Sequence, residues 1–343
     1  MAKVRMAVVG AGFMGALHAR TVAESDVAEL AAVVDTRREA GERLAGAYGA
    51  QYVATVDEVC ADASVDAAVV AVPDRAHEEP ACRLLEAGKH VLLEKPMAHT
   101  LDAARRIARA AERSGSRLMV AHILRFDPRY AGAAEACASG RIGAPVHVSA
   151  GRFGLRQVGV RLAGTSSVCF YMGIHDVDAM QWVTGRAVRR VYARSVSRVM
   201  AAAGVPGEDA VFATCELEGG VIGQLHFGWS FPDTFPSGIN ARLEVVGEDG
   251  VIQLDVHDHG LHVLSGAGLE YPDGLHWPET NGRIAGDLAA EVAHFARAVA
   301  GGDEFVVGVE DAMRNVAVTD AILRSVAGGR PEDVERVEAS APA

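Results

Sequence analysis

The sequence predicts an α/β chain: an N-terminal doubly wound parallel sheet, then an α+β domain built on an open, mostly antiparallel sheet. Three observations carry this. Short apolar runs without polar alternation recur up to about residue 124, and helical stretches fill the gaps between them. Beyond residue 125 the runs become closely spaced strands punctuated by glycine. Apolar strands with no polar face are buried on both sides, and strict alternation with helices makes one parallel sheet covered on both faces.

The elements follow in order. VRMAVV (Val4 to Val9), LAAVV (Leu30 to Val34), AAVVAV (Ala67 to Val72), HVLLE (His90 to Glu94) and RLMVAHI (Arg117 to Ile123) read as strands. RREAGERLAGAYG, AHEEPACRLLEAG and LDAARRIARAAERSG have helical spacing between them. DPRYAGAAEACASG then reads as a helix, PVHVSAGRFGL as a strand, and Val168 to Gly185 as a further helix. AVRRVYARSVS, DAVFATCELEGG, VIGQLHFGWSF, INARLEVVGEDG, VIQLDVHDHG and LHVLS are strand-like, with Gly-Gly, Glu-Asp-Gly and His-Gly pairs marking hairpins. Two helical patterns, DLAAEVAHFARAVAGG and DAMRNVAVTDAILRSVAGG, close the fold, each stopped by Gly-Gly. The expected domains are 1–124 and 125–330, the closing helices being candidates to pack back on the first, with a loosely held tail over 331–343.

Composition narrows the class. The 343 residues carry 33 Lys+Arg against 45 Asp+Glu, a formal charge of −12, and half of them are hydrophobic. That excludes a largely disordered chain, and the acidic balance argues against nucleic acid or an anionic membrane as partner. Five scattered cysteines without a C-x-x-C argue against a disulfide framework or a zinc site. No apolar run approaches a membrane span, and MAKVRMAVVG is too short for a signal peptide, so a cytoplasmic protein without a metal is expected. His257, His259 and His262 in HDHGLH read as exposed imidazoles of a hairpin.

Gly10-Ala11-Gly12-Phe13-Met14-Gly15 sits between the first strand and a helix, and Asp35 ends the second strand. Together they are the fingerprint of a Rossmann dinucleotide site. Gly10 permits the turn, Gly12 leaves room for a diphosphate, and Gly15 lets helix and strand approach. The helix's free N–H groups and positive dipole end then face the phosphates. Asp35 suits the ribose 2′-OH of NAD and repels a 2′-phosphate; Arg37 and Arg38 keep NADP open. Phe13, Met14, Thr36, Arg37, Val72, Pro73, His77, Glu94 and Lys95 complete the expected cofactor-binding set.

Glu94-Lys95-Pro96 ends the PDRAHEEPACRLLEAGKHVLLEKPMAHT segment, and GIHDVDAMQWVTG spans Gly173 to Gly185. With the glycine fingerprint, RFDP at Arg125 to Pro128 and the last helix, these segments resemble the glucose–fructose oxidoreductase and inositol dehydrogenase family (Gfo/Idh/MocA) along nearly the whole chain. The resemblance implies a nicotinamide-dependent oxidoreductase acting on a sugar, cyclitol or related polyol, as a homodimer or homotetramer. Lys95 lies at the carboxyl end of a parallel strand, where open α/β sheets bind ligands. Removing hydride from a carbinol also requires loss of the hydroxyl proton. A neutral imidazole at His175 can take it, while the Lys95 ammonium stabilises the developing charge. Many relatives carry aspartate four residues before this histidine; here the position is Tyr171, a third catalytic candidate.

Asp178 is a candidate for binding a sugar hydroxyl. Arg125, Arg152, Arg156 and Arg161 raise the prospect of an anionic substrate, since guanidinium captures carboxylate or phosphate in bidentate fashion. Two other functions stay open: an enzyme that uses bound NAD transiently, for epimerisation or glycoside cleavage, and an inactive ligand-sensing protein of the same fold.

Overall fold

The computed structural model describes residues 2–162, 164–256, 260–266 and 268–337. The chain opens with β1 (Val4–Val9), α1 (Phe13–Glu24), β2 (Ala28–Val34), α2 (Arg38–Ala47), β3 (Gln51–Val53), α3 (Val56–Ala61), β4 (Ala67–Val70), α4 (Glu78–Glu86), β5 (His90–Glu94), α5 (Leu101–Ser114) and β6 (Leu118–Ala121). It continues through α6 (Pro128–Ala138), β7 (Pro145–Leu155), α7 (Arg156–Leu162), α8 (Ile174–Thr184), β8 (Val188–Val196), α9 (Val199–Ala202), β9 (Ala210–Leu217), β10 (Ile222–Phe231), β11 (Ile239–Gly247) and β12 (Val251–Asp255). Helices α10 (Gly286–Gly301) and α11 (Val309–Gly328) close it.

The chain forms two compact units, Met1–Phe126 with Leu275–Met313, and Asp127–Gly274 with Arg314–Ala343. In the first, six parallel strands run in the order β3-β2-β1-β4-β5-β6, with sequence order reversing at β1 and β4. Residues of β4 and β6 are all buried, as continuous apolar runs require. The sequence shows no strand at β3, which has three residues and one buried side chain, too few for a periodic signal. Helix α3 starts on a Thr55/Glu58 capping box.

Residues 275–313 follow the second domain's strands in sequence, and their packing puts them in the first unit, the alternative left open for the closing helices. Helix α10 buries Leu288, Val292, Phe295 and Ala296, and it lies on α1, β1 and the turn Ile123–Phe126. The Arg117 guanidinium also bonds the carbonyls of Ala298 and Asp303 and stacks 4.1 Å from the Phe305 ring centre.

The second unit holds a seven-stranded sheet, β12-β11-β7-β10-β9-β8 and an edge strand Glu332–Asp333. Its pairings are antiparallel except β7 with β10. Helix α8 packs on β7 and β10, and α6 packs on α8. Along β9 burial alternates, leaving Phe212, Thr214 and Glu216 outward. His257 and His259 lie outside the described residues. Among the described residues no helix is long and apolar enough to cross a membrane, and no three metal-ligating side chains cluster.

Candidate active site

In the first unit the glycine turn is fixed by close backbone approach. Gly10 has φ +105°, and a Cβ there would sit 2.6 Å from the Ala71 carbonyl oxygen. A Cβ on Gly15 would lie 1.8 Å from the Gly10 oxygen, so helix and turn could not close. Gly12 differs. Its φ of −80° suits any residue, and a Cβ there would meet nothing within 4 Å. Packing inside the protein therefore does not explain Gly12, and the absence of a side chain leaves the helix N-terminus open to a ligand. Phe13 is exposed beside it and Met14 is half-buried.

Asp35, nearly buried, accepts hydrogen bonds from the N–H groups of Ala11 (2.7 Å) and Arg37 (2.7 Å) and from Arg37 Nε (3.2 Å). Burial raises its pKa, yet the bonds from Arg37 and Ala11 outweigh that and hold the carboxyl below its usual range. Arg37 and Arg38, the residues that kept a 2′-phosphate open, are paired with Asp35 and with Glu42. Thr36, between Asp35 and Arg37, is exposed.

At the end of β5, Glu94 is buried. Its Oε1 lies 2.8 Å from His18 Nε2 on α1, and its Oε2 accepts the Lys95 N–H at 3.1 Å. Burial opposes its charge, but His18 and then Lys95 prevail and keep the carboxyl below its ordinary value. The strand end that carries Lys95 is thus tied to the helix that follows the glycine turn. Lys95 itself is half-buried, and the Lys95–Pro96 peptide is cis. His77, expected to bind cofactor, is 1% exposed. Its Nδ1 is 2.8 Å from the Pro96 oxygen and its Nε2 3.1 Å from the Val72 oxygen. It braces the Val72–Pro73 turn against the Lys95–Pro96 turn and presents no free nitrogen to a ligand. Burial pushes its pKa down.

Glu291 on α10 is fully buried, and neither carboxylate oxygen has a protein partner. Burial, then the charges of Glu94 and Asp287, push its carboxyl well above the ordinary range. His18, Trp277 and Glu291 were not singled out by sequence. Only Glu291 left a sign there, as an acid in the apolar stripe of Leu288, Val292 and Phe295.

In the second unit the expected helix from Val168 is interrupted. A π-helical turn, Cys169–Gly173, precedes α8, and such turns recur at functional sites. A Cβ on Gly173 would meet the Phe227 ring at 2.7 Å. His175, half-buried, lies in the first turn of α8. Tyr171 sits on the π turn with its ring 6.1 Å from that of Trp229.

Three of the expected substrate ligands are buried against protein partners. Arg152 and Asp176 form an ion pair at 3.0 Å, 2% and 0% exposed. Asp178, 1% exposed, accepts a hydrogen bond from Asn315 Nδ2 at 2.8 Å. Arg125, in the first unit, donates to the Val306 carbonyl (2.9 Å) and pairs with Asp311 (2.8 Å). Each charge is buried against a partner remote in sequence, which composition cannot reveal. Arg156 and Arg161 remain exposed on α7.

Comparisons with known proteins match these features. Residues 4–122 fit the Gfo/Idh/MocA model described as oxidoreductase family, NAD-binding Rossmann fold, and residues 130–253 fit the family's C-terminal domain. Inositol 2-dehydrogenase of Rhizobium meliloti is 30% identical over 330 residues, covering 95% of this chain and 98% of that protein. Inositol 2-dehydrogenase 2 of Saccharopolyspora erythraea is 33% identical over 341 residues, covering 97% and 96%. The crystal structure of GenD2 from gentamicin A biosynthesis, in complex with NAD, has a TM-score of 0.86 at 27% identity, covering 98% and 97%. The open Gly12 cradle beside Asp35 fits such a dinucleotide, and this chain belongs to the Gfo/Idh/MocA family of NAD-binding oxidoreductases.

Proposed function

We propose that the protein is an NAD-dependent dehydrogenase that oxidises a ring carbinol of a cyclitol or closely related sugar, or reduces the corresponding ketone. One observation carries this reading. A chain alike over nearly its full length to inositol 2-dehydrogenases holds Lys95 at a strand end tied through Glu94 and His18 to the dinucleotide-binding helix. When bound, NAD supplies the hydride acceptor. The protein's own residues handle the proton and the charge. The His175 imidazole takes the hydroxyl proton in oxidation and returns it in reduction, while the Lys95 ammonium stabilises negative charge on the oxygen. Asp35 favours NAD over NADP through the ribose hydroxyl. Tyr171 replaces the family's frequent aspartate and offers a phenol where a carboxylate would orient the base. Arg156 and Arg161 are the arginines left to meet an acidic substituent. The working form is a homodimer or homotetramer, as in the family this chain resembles.

Absorbance at the NADH band, with inositol isomers and sugar acids offered alongside NAD, tests the reading. Accumulating NADH supports a dehydrogenase. Substrate conversion without it would assign transient redox, and no conversion of any polyol would overturn the reading. Lys95→Ala should lower kcat by about a thousandfold while the Kd for NADH stays within about threefold. An active Lys95→Ala enzyme would remove the lysine from the mechanism.

A further inference from the structure

Residues 275–285 form a strap on the first unit with more anchoring than a surface loop needs. Arg20 of α1 donates to Glu279 Oε2 (2.9 Å) and to the Gly282 carbonyl (3.1 Å), while Glu24 accepts the Ile284 N–H at 2.6 Å. At its base the N–H groups of Ala285, Asp287 and Leu288 bond the carbonyls of Pro278, Leu275 and His276 at 2.8–2.9 Å. Gly286 (φ +75°) allows this closure, since a Cβ there would lie 2.0 Å from the Leu275 oxygen. The strap sets Trp277 edge-on against Phe13, ring centres 6.0 Å apart and planes at 76°.

Phe13 is the first residue of α1, directly after Gly12, and is 66% exposed. A large apolar ring so exposed at the mouth of an anion-binding helix end gains nothing from water. It gains from a ligand that covers it.

We propose that Phe13 and Trp277 form an aromatic wall closing over the diphosphate of the bound dinucleotide, which makes Trp277 a cofactor-binding residue contributed from 264 positions further along the chain. The proposal rests on the NAD-binding reading above and adds a residue to it. Rings held edge-to-face shield the helix N–H groups from solvent and so strengthen their attraction for phosphate. Because α1 already holds the strap, little ordering is required on binding.

The test is NADH binding, which needs no turnover. Trp277→Ala should weaken NADH binding about tenfold, chiefly through faster dissociation in stopped flow, while Trp277→Phe stays within about threefold of wild type. Trp277→Phe should also lose most of the tryptophan-sensitised NADH emission. Apo melting temperatures unchanged within a few degrees would show the strap intact in both variants. Wild-type affinity in Trp277→Ala, or undiminished sensitised emission in Trp277→Phe, would overturn the wall while leaving the NAD reading in place. A wild-type protein that failed to bind NADH would overturn both.

Discussion

At Asp35 one carboxylate holds the glycine turn through Ala11, anchors Arg37 and keeps its pKa below the usual range. Asp35→Ala removes the repulsion of a 2′-phosphate and releases Arg37 together. The ratio of kcat/KM for NADP to that for NAD should rise by about tenfold or more. Unchanged selectivity in steady-state assays with both cofactors would mean that another residue reads the ribose. Single residues were legible in the sequence where their placement is set by near neighbours. Gly10, Gly12, Gly15 and Asp35 belong to a single turn and the strand beside it, and Lys95 is marked by the proline after it. The burial of Arg152 and Asp178 was not legible, because their partners stand 24 and 137 positions away. A lone arginine before a helix looks the same whether it meets a ligand or a buried aspartate.

Between elements, the Arg152–Asp176 pair joins β7 to the helix that carries His175. Burial pushes Asp176 upwards while Arg152 draws it back; in Arg152, Asp176 more than offsets burial and the guanidinium is held charged. Arg152→Met strands a buried carboxylate and should destabilise the protein by about 3 kcal/mol or more. The double variant Arg152→Met with Asp176→Leu should recover much of that loss, because the orphan charge goes with it. Urea denaturation of the single and double variants checks both, and equal losses would show that the pair is not coupled. Periodicity found the strands and the longer helices because burial imposes it. It could not find the π turn at Cys169–Gly173, whose one extra residue per turn leaves no separate periodic signal over five residues.

For the molecule as a whole, Glu291 couples stability to pH. Its folded pKa lies above the unfolded value, so the native state binds its proton more tightly. That advantage is complete below the ordinary carboxyl pKa and is lost as pH rises to the folded value. Each tenfold difference in proton affinity between the two states is worth about 1.4 kcal/mol. Glu291→Gln keeps the neutral shape without a proton to lose. Its unfolding free energy should match wild type near pH 4.5 and exceed it increasingly towards pH 8, as measured by urea titration across that range. An offset independent of pH would show that Glu291 is ionised throughout. The parallel and the mostly antiparallel sheet were legible along the chain, but the return of residues 275–313 to the first unit was legible only as an alternative, since α10 reads as an ordinary amphipathic helix whichever unit receives it.

That return has a bearing on biosynthesis. A nascent polypeptide emerging from the ribosome up to residue 126 already holds the glycine turn, Asp35 and Lys95, but neither α10 nor the strap. The dinucleotide-binding unit is finished only once the chain has been translated through residue 313. A product terminated before α10 would leave the apolar bed of Phe295 uncovered for chaperones and proteases to recognise.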